Sequence, residues 1–338
     1  MLPPALSVLT AVRDGLPYLD RAVESIQDQT FTDWEWILVD DGSTDGTGAR
    51  LSELARREPR LRVFTRPPLG LVSALNHGLA IASAPIVARM DADDIAHPER
   101  LAAQWAHLDA HPEVVACDTQ VELLGGERNL GMRVYVDWVN GHRGPAAIAA
   151  DLFVESPLVH PAVAFRTAAV RALGGYRAGD FPEDYDLWLR LHRTGALLDK
   201  VPRVLLSWRD TPQRLSRRDR RYRRAAFTRL KQEHLLALDG DAIRGPGFAL
   251  WGAGRLARPW RQWLRALGVE PSFVADIHPS RIGQRLLGAP VVPAETVPEH
   301  EWRYLLVTVS GHDARAATRE LLAGWGLDRN PGRRVRFV

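Results

Sequence analysis

Residues 34–47, WEWILVDDGSTDGT, join an apolar strand to a turn built from aspartate, glycine, serine and threonine. The strand is predicted over Trp34–Val39, because aromatic and β-branched residues favour extended chain. Asp40 and Asp41 then carry carboxylates suited to accept hydrogen bonds from a base or a ribose, and the two glycines permit turn conformations. An ordinary strand–turn–helix connection, in which aspartate and serine only cap the next helix, explains the same residues.

Strands and helices alternate on both sides of this turn. Apolar runs predict the strands, and apolar residues at helical spacing predict the helices. In chain order they are Leu6–Val12, a helix opened by Pro17, Trp34–Val39, a helix bearing Leu51 and Leu54, Leu61–Thr65, Leu71–Ala82 and Ile86–Met90. This alternation predicts a parallel sheet with helices on both faces. Ligands of such sheets bind beyond the carboxyl ends of the strands, so the turn at 40–47 and the segment after Met90 are expected at one rim.

That segment is strongly acidic. RMDADDI, residues 89–95, places three carboxylates directly after the last of these strands. At strand period Asp91 and Asp93 point to one side, and Asp94 begins the turn. Two carboxylates at the mouth of a parallel sheet suit an oxygen-preferring cation, Mg²⁺ or Mn²⁺, which takes one or two carboxylates together with substrate phosphates. The alternative is an acidic turn that only caps the next helix.

Length and composition restrict the class of protein. The chain has 338 residues, 46% of them hydrophobic and 25% charged, with a formal net charge of +3. The length suits two domains, and so small a net charge does not indicate a nucleic-acid-binding protein. Cys117 is the only cysteine, which excludes an intrachain disulfide and fits a reducing compartment. The sequence offers no signal peptide and no apolar run near the ~20 residues that span a bilayer, so a cytoplasmic protein is predicted.

A long basic helix is predicted over Arg217–Leu238. Residues 216–231, SRRDRRYRRAAFTRLK, carry eight arginines or lysines. One interpretation is a peripheral membrane face at the inner side of the membrane, where it meets anionic lipids or a lipid-linked acceptor. The other is a solvated helix whose arginines pair with nearby acids.

A second glycine-rich turn lies near the C-terminus. WGAGRLA, residues 251–257, follows an apolar strand and opens a helix, and Asp276 ends the next strand. Gly252, Gly254, Ala257 and Asp276 have the spacing of a dinucleotide fingerprint, which predicts a Rossmann-like domain and a nucleotide site for NAD or another nucleotide. The region also resembles the small nucleotide-sugar-binding domain at the front of some sugar acyltransferases. A scaffolding unit is one alternative, and a nucleotide-sugar oxidoreductase or epimerase is another. The oxidoreductase or epimerase is disfavoured because no tyrosine lies four positions before either of the two lysines of the chain.

The first two thirds of the chain resemble the family 2 glycosyltransferases. The resemblance covers most of residues 5–105 and lies in spaced blocks, TAVRDGLPYLDRAVESIQDQT (10–30), WILVDDGSTDGT (36–47) and LVSALNHGLAIASAPIVARMDADDIAHPERL (71–101). SPLVHPAVAFRTAAVRALGGYR (156–177) and FPEDYDLWLRLHRTG (181–195) extend it. It implies the glycosyltransferase-A fold, a compact nucleotide-binding α/β unit, and an inverting transfer of a sugar from a nucleotide-diphosphate donor.

The resemblance also implies a donor site. The matching positions are Thr10, Ala11, Asp14, Asp40, Asp41, Asn76, Gly78, Arg89, Asp91 and Arg209. Among them Asp40 and Asp41 match the positions that grip the base and the ribose. Asp91 and Asp93 match the aspartates that hold a metal, and either Asp94 or a histidine is left open as a further ligand.

Asp184, in PEDYD, matches the family's catalytic base, with Glu183 as its close rival. An inverting transfer needs one base to take the proton of the acceptor hydroxyl while C1 of the sugar is attacked from the opposite face. A carboxylate at a helix N-terminus is expected to stay ionised, because the helix dipole favours its charge. The alternative for both carboxylates is a capping role. His160, in VHPAVAF, is predicted to contact the acceptor or the donor sugar.

The sequence therefore predicts an α/β protein of two domains. A glycosyltransferase-A catalytic domain over residues 1–240 is followed by a linker, Asp239–Gly247, and a Rossmann-like accessory domain over 248–338. The predicted activity is Mg²⁺- or Mn²⁺-dependent transfer of a hexosyl unit from a UDP-sugar to a glycan or lipid-linked acceptor, in surface polysaccharide or glycan assembly. A non-catalytic nucleotide-sugar-binding scaffold is the alternative for the first domain.

Overall fold

The chain folds into two compact units. The computed structural model describes residues 3–125, 129–212, 214–309, 311–327 and 330–338. The first unit comprises the chain up to Ala149 together with Ser156–Ala226, and the second comprises Ala150–Glu155 and Phe227–Val338. The division between them differs from the predicted one, because residues 227–240 and the short segment 150–155 belong to the second unit.

A mixed sheet forms the centre of the first unit. Its strands in chain order are β1 (Leu6–Val12), β2 (Trp34–Asp40), β3 (Leu61–Thr65), β4 (Ile86–Arg89), β5 (Ile95–Ala96), β6 (Val114–Leu124), β7 (Ala164–Arg166) and β8 (Leu197–Arg209). They lie in the order β3-β2-β1-β4-β7-β6-β8-β5. The first four are mutually parallel, whereas β7 is antiparallel to both of its neighbours.

Helices cover both faces of the sheet. They are α1 (Leu16–Gln27), α2 (Thr47–Arg57), α3 (Leu71–Ile81), α4 (Arg100–Ala110), α5 (Leu130–Asn140), α6 (Gly144–Asp151), α7 (Thr167–Ala172), α8 (Glu183–Arg193) and α9 (Leu215–Arg218). The apolar residues of α1 share one core cluster with Val8 and Leu38 of the sheet. The alternate strand residues Leu9 and Val39 face α3 instead. These layers confirm the predicted α/β fold.

Gly78 sets how closely α3 approaches the sheet. A Cβ atom at this position would lie 2.2 Å from Leu9 Cδ1 and 3.3 Å from Val39 Cγ2. Only glycine avoids this clash, so the residue is explained by packing between helix and sheet rather than by contact with a diphosphate.

The polar segments meet at one rim because of the strand order. Strands β2 and β3 lie on one side of β1, and β4 lies on the other. Val12 is in register with Asp40, and Leu9 is in register with Arg89, so the residues after Arg89 run beside the end of β1. This point, where the strand order reverses, is where open α/β sheets bind ligands.

The second unit is a smaller doubly wound sheet. Its elements are α10 (Arg224–Arg244), β9 (Phe248–Trp251), α11 (Arg258–Ala266), β10 (Val274–Asp276), β11 (Arg285–Leu286), β12 (Ala289–Pro293), β13 (Tyr304–Val307), α12 (His312–Gly324) and β14 (Arg334–Phe337). The order is β11-β12-β10-β9-β13-β14, with every pair parallel except β11 with β12. Along the chain, β9 is followed by β10 and β12 on one side of it and then by β13 and β14 on the other side. This order is the Rossmann-like arrangement.

The predicted linker is instead part of this second unit. Residues 239–244 continue helix α10, which is kinked at Asp239. The buried Asp239 carboxylate accepts a hydrogen bond of 2.8 Å from the Tyr304 hydroxyl and pairs with Arg334 and Arg336. Asp239, which the sequence predicted to lie in a linker, thus binds three residues within the second unit.

The predicted long basic helix is also broken into pieces. Helix α9 ends at Arg218, a 3₁₀ turn spans Arg220–Tyr222, and α10 begins at Arg224. Asp219 causes one of the breaks, since its side chain caps the turn by accepting from Arg221 N. Over the described ranges, no helix combines the length and the apolar character needed to cross a membrane.

We predict that Asp239→Ala destabilises the second unit. It leaves the Tyr304 hydroxyl and two arginines without their buried acceptor, and breaking a buried pair costs about 3–5 kcal/mol in free energy of unfolding. Urea unfolding measures the change. Asp241→Ala, at an exposed position of the same helix, is the matched control and should change that free energy by less than about 0.5 kcal/mol. Equal effects of the two substitutions would restore the linker interpretation.

Candidate active site

Three carboxylates converge at the rim after β4. One oxygen from each of Asp91, Asp93 and Asp94 lies within 4.8 Å of the others. Strand β4 ends at Arg89, so these residues occupy a turn and not the end of a strand. The strand-period argument for their direction is therefore wrong, although the three side chains do meet.

Arg89 lies beneath this turn. Its side chain is 1% exposed, and its guanidinium donates to Leu9 O, to Met90 O and to one carboxylate oxygen of Asp91. The prediction that Arg89 contacts the donor is not supported by these bonds, because they direct the guanidinium to the main chain and to Asp91. The residue orients Asp91, which is about one third exposed.

Burial and like charge raise the pKa values of the other two carboxyls. Burial, followed by the charge of Asp91, raises the pKa of Asp93 to about 6. Burial and then the charges of Asp93 and Asp91 raise the pKa of Asp94 well above its ordinary value. Three acids that disfavour one another's ionisation are the arrangement that a cation relieves.

The donor atoms fit an oxygen-preferring divalent cation. Asp94 Oδ1 accepts from Arg209 N at 2.7 Å, and its buried Oδ2 has no hydrogen-bond partner among the described residues. Asp91 and Asp93 remain partly exposed at the rim. An all-carboxylate set with one unsatisfied buried oxygen suits Mg²⁺ or Mn²⁺.

Arg209 lies beside the acidic turn, as its motif position suggested. Its Nε donates to Asp93 O at 2.6 Å, and its guanidinium lies 4.3 Å from the centre of the Tyr18 ring. The side chain is partly exposed. Arg209 therefore links the end of β8 to the turn and keeps positive charge at the rim.

The turn after β2 uses most of its polar groups internally. Asp41 accepts from the main-chain N–H groups of Leu69 and Gly70 at 3.0 and 2.8 Å. Asp40 is buried, and one of its oxygens accepts from both the N–H and the hydroxyl of Ser43. These bonds fix the turn and join Asp41 to the loop before α3. The contact of Asp41 with a base or a ribose stays a prediction.

Polar residues at the end of β1 likewise form hydrogen bonds within the protein. Thr10 is buried, donates to Met90 O at 2.8 Å and accepts from Trp36 Nε1 at 3.0 Å. Asp14 has a left-handed φ of 53° and accepts from Thr44 N at 2.7 Å. Ala11 is partly exposed at the rim. The side chain of Thr10 thus ties β1 to the acidic turn and does not face a ligand.

Asn76 joins two segments that lie far apart in the sequence. Its amide donates to Tyr176 O and accepts from Tyr176 N, both at 2.8 Å. Gly175, with φ of 75°, lets the chain approach so closely that a Cβ there would lie 2.4 Å from Asn76 Oδ1. Both hydrogen-bonding ends of Asn76 are used, so it positions Tyr176 instead of supporting a diphosphate.

His160 is held in the same region by Tyr176 and by packing. It is 9% exposed, and its Nε2 lies 2.9 Å from the Tyr176 hydroxyl. Its ring meets that of Trp188 edge-on, with centroids 6.1 Å apart. Burial, assisted by the charge of Arg89, holds its pKa well below the usual range. The structure thus presents His160 as a buried ring packed against Tyr176 and Trp188.

Asp184 and Glu183 begin helix α8 in different surroundings. Glu183 is 2% exposed, and its two oxygens lie 2.9 and 2.8 Å from the Tyr222 hydroxyl, with Arg221 at 3.6 Å. Asp184 is partly exposed. Burial, followed by the charge of Glu183, raises the pKa of Asp184 to about 7. Desolvation and the charge of Glu183 thus oppose the ionisation of Asp184 that the helix dipole favours.

Electrostatic coupling joins the two acidic segments. The charges of Asp91 and Glu183 act on Arg89, and the charge of Asp91 also acts on Asp184. The segment after β4 and the start of α8 therefore lie within electrostatic reach of one another. Tyr176 and Tyr222 form hydrogen bonds with predicted site residues; the sequence reasoning missed both, and for Tyr222 the one signal was a lone tyrosine inside an arginine-rich segment.

In the second unit, the predicted nucleotide residues are also tied together. Gly252 has a φ of 110°, and a Cβ there would lie 2.9 Å from Thr308 Oγ1. Asp276 is buried and accepts from Ala253 N at 2.7 Å, from His278 N at 2.8 Å and from Arg281 at 3.1 Å. Both oxygens are used, so Asp276 is not arranged to bind a ribose.

Known proteins of one family resemble this chain. The family described as Glycosyl transferase family 2 matches residues 7–173. The amylovoran biosynthesis glycosyltransferase AmsE of Erwinia amylovora is 32% identical over 56% of this chain and 70% of AmsE. The UDP-Gal:α-D-GlcNAc-diphosphoundecaprenol β-1,3-galactosyltransferase of Escherichia coli is 29% identical over 64% of this chain and 78% of that protein. The y4gI protein of Sinorhizobium fredii is 32% identical over 71% of this chain. The matched region covers only 26% of the length of y4gI.

Solved structures share the fold. TarS of S. aureus in complex with UDP-GlcNAc has a TM-score of 0.55 at 16% identity, over 78% of this chain and 79% of that chain. The mannosyltransferase PcManGT of Pyrobaculum calidifontis, in complex with GDP-Man and Mn²⁺, has a TM-score of 0.50 at 20% identity, over 79% and 70%. The chain belongs to the family 2 glycosyltransferases, and the resemblance inferred from its motifs is confirmed.

We predict that Glu183→Gln lowers the pKa of Asp184. The neutral amide removes the negative charge that opposes ionisation of Asp184, so this carboxyl should lose its proton at a lower pH. Titration of the Asp184 side chain by NMR in metal-free protein measures the shift. Glu113→Gln, which removes a distant exposed carboxylate, should leave the pKa unchanged. An unchanged pKa in Glu183→Gln would refute the coupling.

Proposed function

We propose that this protein transfers a glycosyl unit from a nucleoside diphosphate sugar to an acceptor hydroxyl, with inversion at C1. The observation that carries the proposal is the convergence of Asp91, Asp93 and Asp94 at the rim, together with Asp184, on which the charge of Asp91 acts. Family membership supports it. TarS and PcManGT bind UDP-GlcNAc and GDP-Man, and among these donors a UDP-sugar is our first choice because the galactosyltransferase relative is named for UDP-Gal.

Asp91 and Asp93 would hold Mg²⁺ or Mn²⁺ in this reaction. The cation, when bound, neutralises the charge that develops on the departing diphosphate. Arg89 fixes the direction of Asp91, and Asp94 fixes the turn through the Arg209 main chain. Arg209 adds positive charge next to the turn, which favours phosphate binding. The Mn²⁺ bound by PcManGT supports this assignment.

The rest of the donor site is assigned from the ends of β1 and β2. Ala11 is partly exposed, and Asp40, although buried, carries one oxygen outside its bonds to Ser43. We assign these two positions to the nucleoside. Asp14 and Asp41 shape the surrounding turns, and Thr10, Asn76 and Gly78 hold the elements that carry them.

Asp184 acts as the base. Its ionised carboxylate takes the proton of the acceptor hydroxyl as that oxygen bonds to C1 and the bond from C1 to the diphosphate oxygen breaks. A pKa of about 7 suits proton transfer near neutral pH better than an ordinary aspartate does. Glu183 is not the base, because its oxygens are engaged by Tyr222 and it is buried. It raises the basicity of Asp184 instead.

The acceptor is proposed to be a glycan intermediate, lipid-linked in the simplest case. The galactosyltransferase relative is named for a diphosphoundecaprenol acceptor, and AmsE is named for amylovoran biosynthesis. The arginines of residues 216–224, among them the exposed Arg220, provide positive charge for an anionic membrane surface. Surface polysaccharide assembly at the inner face of the membrane is the corresponding setting.

We predict that Asp93→Ala weakens metal-dependent donor binding. Removing one carboxylate of the cluster should reduce the affinity for UDP in the presence of Mn²⁺ by about tenfold or more. Calorimetry with UDP, in Mn²⁺ and in EDTA, measures the effect. Asp109→Ala, an exposed aspartate of α4, is the control. If UDP binds Asp93→Ala and the parent protein equally in Mn²⁺, the assignment of the metal is wrong.

We predict that Asp184→Asn abolishes transfer by another route. An amide cannot accept the proton, so turnover should fall by about 10²–10⁴-fold while Mn²⁺–UDP binding changes little. Turnover is followed as UDP release from a panel of UDP-Glc, UDP-Gal, UDP-GlcNAc and GDP-Man with lipid-diphosphate sugar acceptors. Normal turnover in Asp184→Asn would contradict the assignment of Asp184 as the base. If the parent protein binds every donor and turns over none, the scaffold alternative is favoured.

A further inference from the structure

An arginine cluster marks the carboxyl edge of the second sheet. Arg258, Arg261 and Arg265 recur at helical spacing along α11, and Arg281 lies in the loop after β10. Positions three and four residues apart share one helix face, so the α11 arginines form a single stripe. We call these four residues the arginine cluster. The glycosyl-transfer reaction proposed above makes no use of it.

Two guanidiniums of the cluster enclose the loop after β9. Arg261 Nη1 donates to Ala253 O and to Gly254 O, each at 2.7 Å. Arg281 lies on the same loop, since its Nη1 is 3.6 Å from the position that a Cβ at Gly254 would take. Arg261 is therefore held by the main chain and Arg281 by Asp276, at the end of the central strand, where doubly wound sheets bind ligands.

Positive charge in this cluster exceeds negative charge. Burial lowers the pKa of Arg261, and the charges of Arg281, Arg258 and Arg265 lower it further. Asp276 acts in the opposite direction, and it is paired with Arg281 at 3.1 Å. Asp276, which is already paired with Arg281, is thus opposed by the charges of three arginines that act on Arg261, an imbalance that an anion would correct.

The position of the arginines on α11 adds to this imbalance. The first turn of the helix contains Arg258 and Arg261 and no acidic residue, and the helix has no side-chain N-cap. Cations are unfavourable at the positive end of a helix dipole. Local choices that oppose stability in this way are expected at binding sites, where a ligand compensates for them.

We propose that the arginine cluster binds the phosphate groups of a diphosphate-containing ligand, as a second anion site of this protein. The guanidiniums of Arg258 and Arg281 contact the phosphate oxygens in bidentate, charge-assisted bonds. Arg261 holds the loop open for them. Asp276 does not read a ribose, because its oxygens are taken by Ala253 N, His278 N and Arg281. Recognition is therefore by the phosphates, which distinguishes this site from a standard dinucleotide fingerprint.

Calorimetry of the full chain with pyrophosphate tests the proposal. The titration is done in EDTA and on the Asp93→Ala background, so that the metal-dependent site in the first unit does not contribute. One pyrophosphate should bind per chain. Arg258→Gln should weaken binding by about tenfold, and Arg258→Gln with Arg281→Gln should weaken it further.

Arg303→Gln is the matched control. Arg303 is exposed and precedes β13, at the amino edge of the same parallel sheet, so it makes the same change in net charge on the opposite side. It should change the affinity for pyrophosphate by less than about twofold. Arg258 is exposed, and thermal unfolding of each variant verifies that it is folded.

The source of the diphosphate is identified by a second titration, with UDP and with NAD. Binding about tenfold tighter than that of pyrophosphate assigns a nucleotide, and equal binding assigns a phosphate-only site such as one for a polyphosphate or a lipid diphosphate. The proposal is overturned if pyrophosphate does not bind in EDTA, if Arg258→Gln binds as the parent does, or if Arg303→Gln weakens binding equally. Because these titrations measure binding in the second unit, failure of the transferase reaction would not affect them.

Discussion

The pairing of buried Arg89 with partly exposed Asp91 is the interaction on which the site depends. A guanidinium that is 1% exposed requires an anionic partner and main-chain acceptors, and Arg89 has both. This fixed cation compensates one of three converging carboxylates that otherwise repel one another. Among the described residues, neither Asp93 nor Asp94 has an ion pair of this kind, and burial and like charge raise the pKa values of both. A divalent cation would supply the remaining charge.

The rest of the first unit brings the base to this pair. Strand β7 lies antiparallel to β4, and the segment that follows it returns to α3, where Asn76 bonds to both main-chain groups of Tyr176. Tyr176 in turn contacts His160, and the start of α8 lies within electrostatic reach of Arg89. Asp184 is therefore positioned by the sheet and by one amide clamp, with its basicity set by Glu183.

The sequence predicted the fold better than it predicted the roles of polar residues. Apolar strands alternating with helices predict a parallel sheet, and the rim follows from its topology, so the ends of β2 and β4 were correctly predicted at one edge of the sheet. The sequence predicted Thr10 and Asn76 as donor-binding residues and Asp239 as part of a linker. Each of the three side chains instead forms a hydrogen bond with a residue from a segment far along the chain. The raised pKa of Asp184 likewise depends on burial and on Glu183, which Tyr222 holds from 39 positions away. Burial and distant partners of this kind leave no periodic signal in one sequence.

Anomalous diffraction from crystals soaked with Mn²⁺ and UDP tests the central claim most directly. The claim is that Asp91 and Asp93, set by Arg89, hold a cation that binds the donor diphosphate. It predicts a manganese peak about 2.0–2.3 Å from an oxygen of each aspartate and from the UDP diphosphate. UDP bound at the rim with no manganese on these carboxylates, or manganese bound at another site, would contradict it.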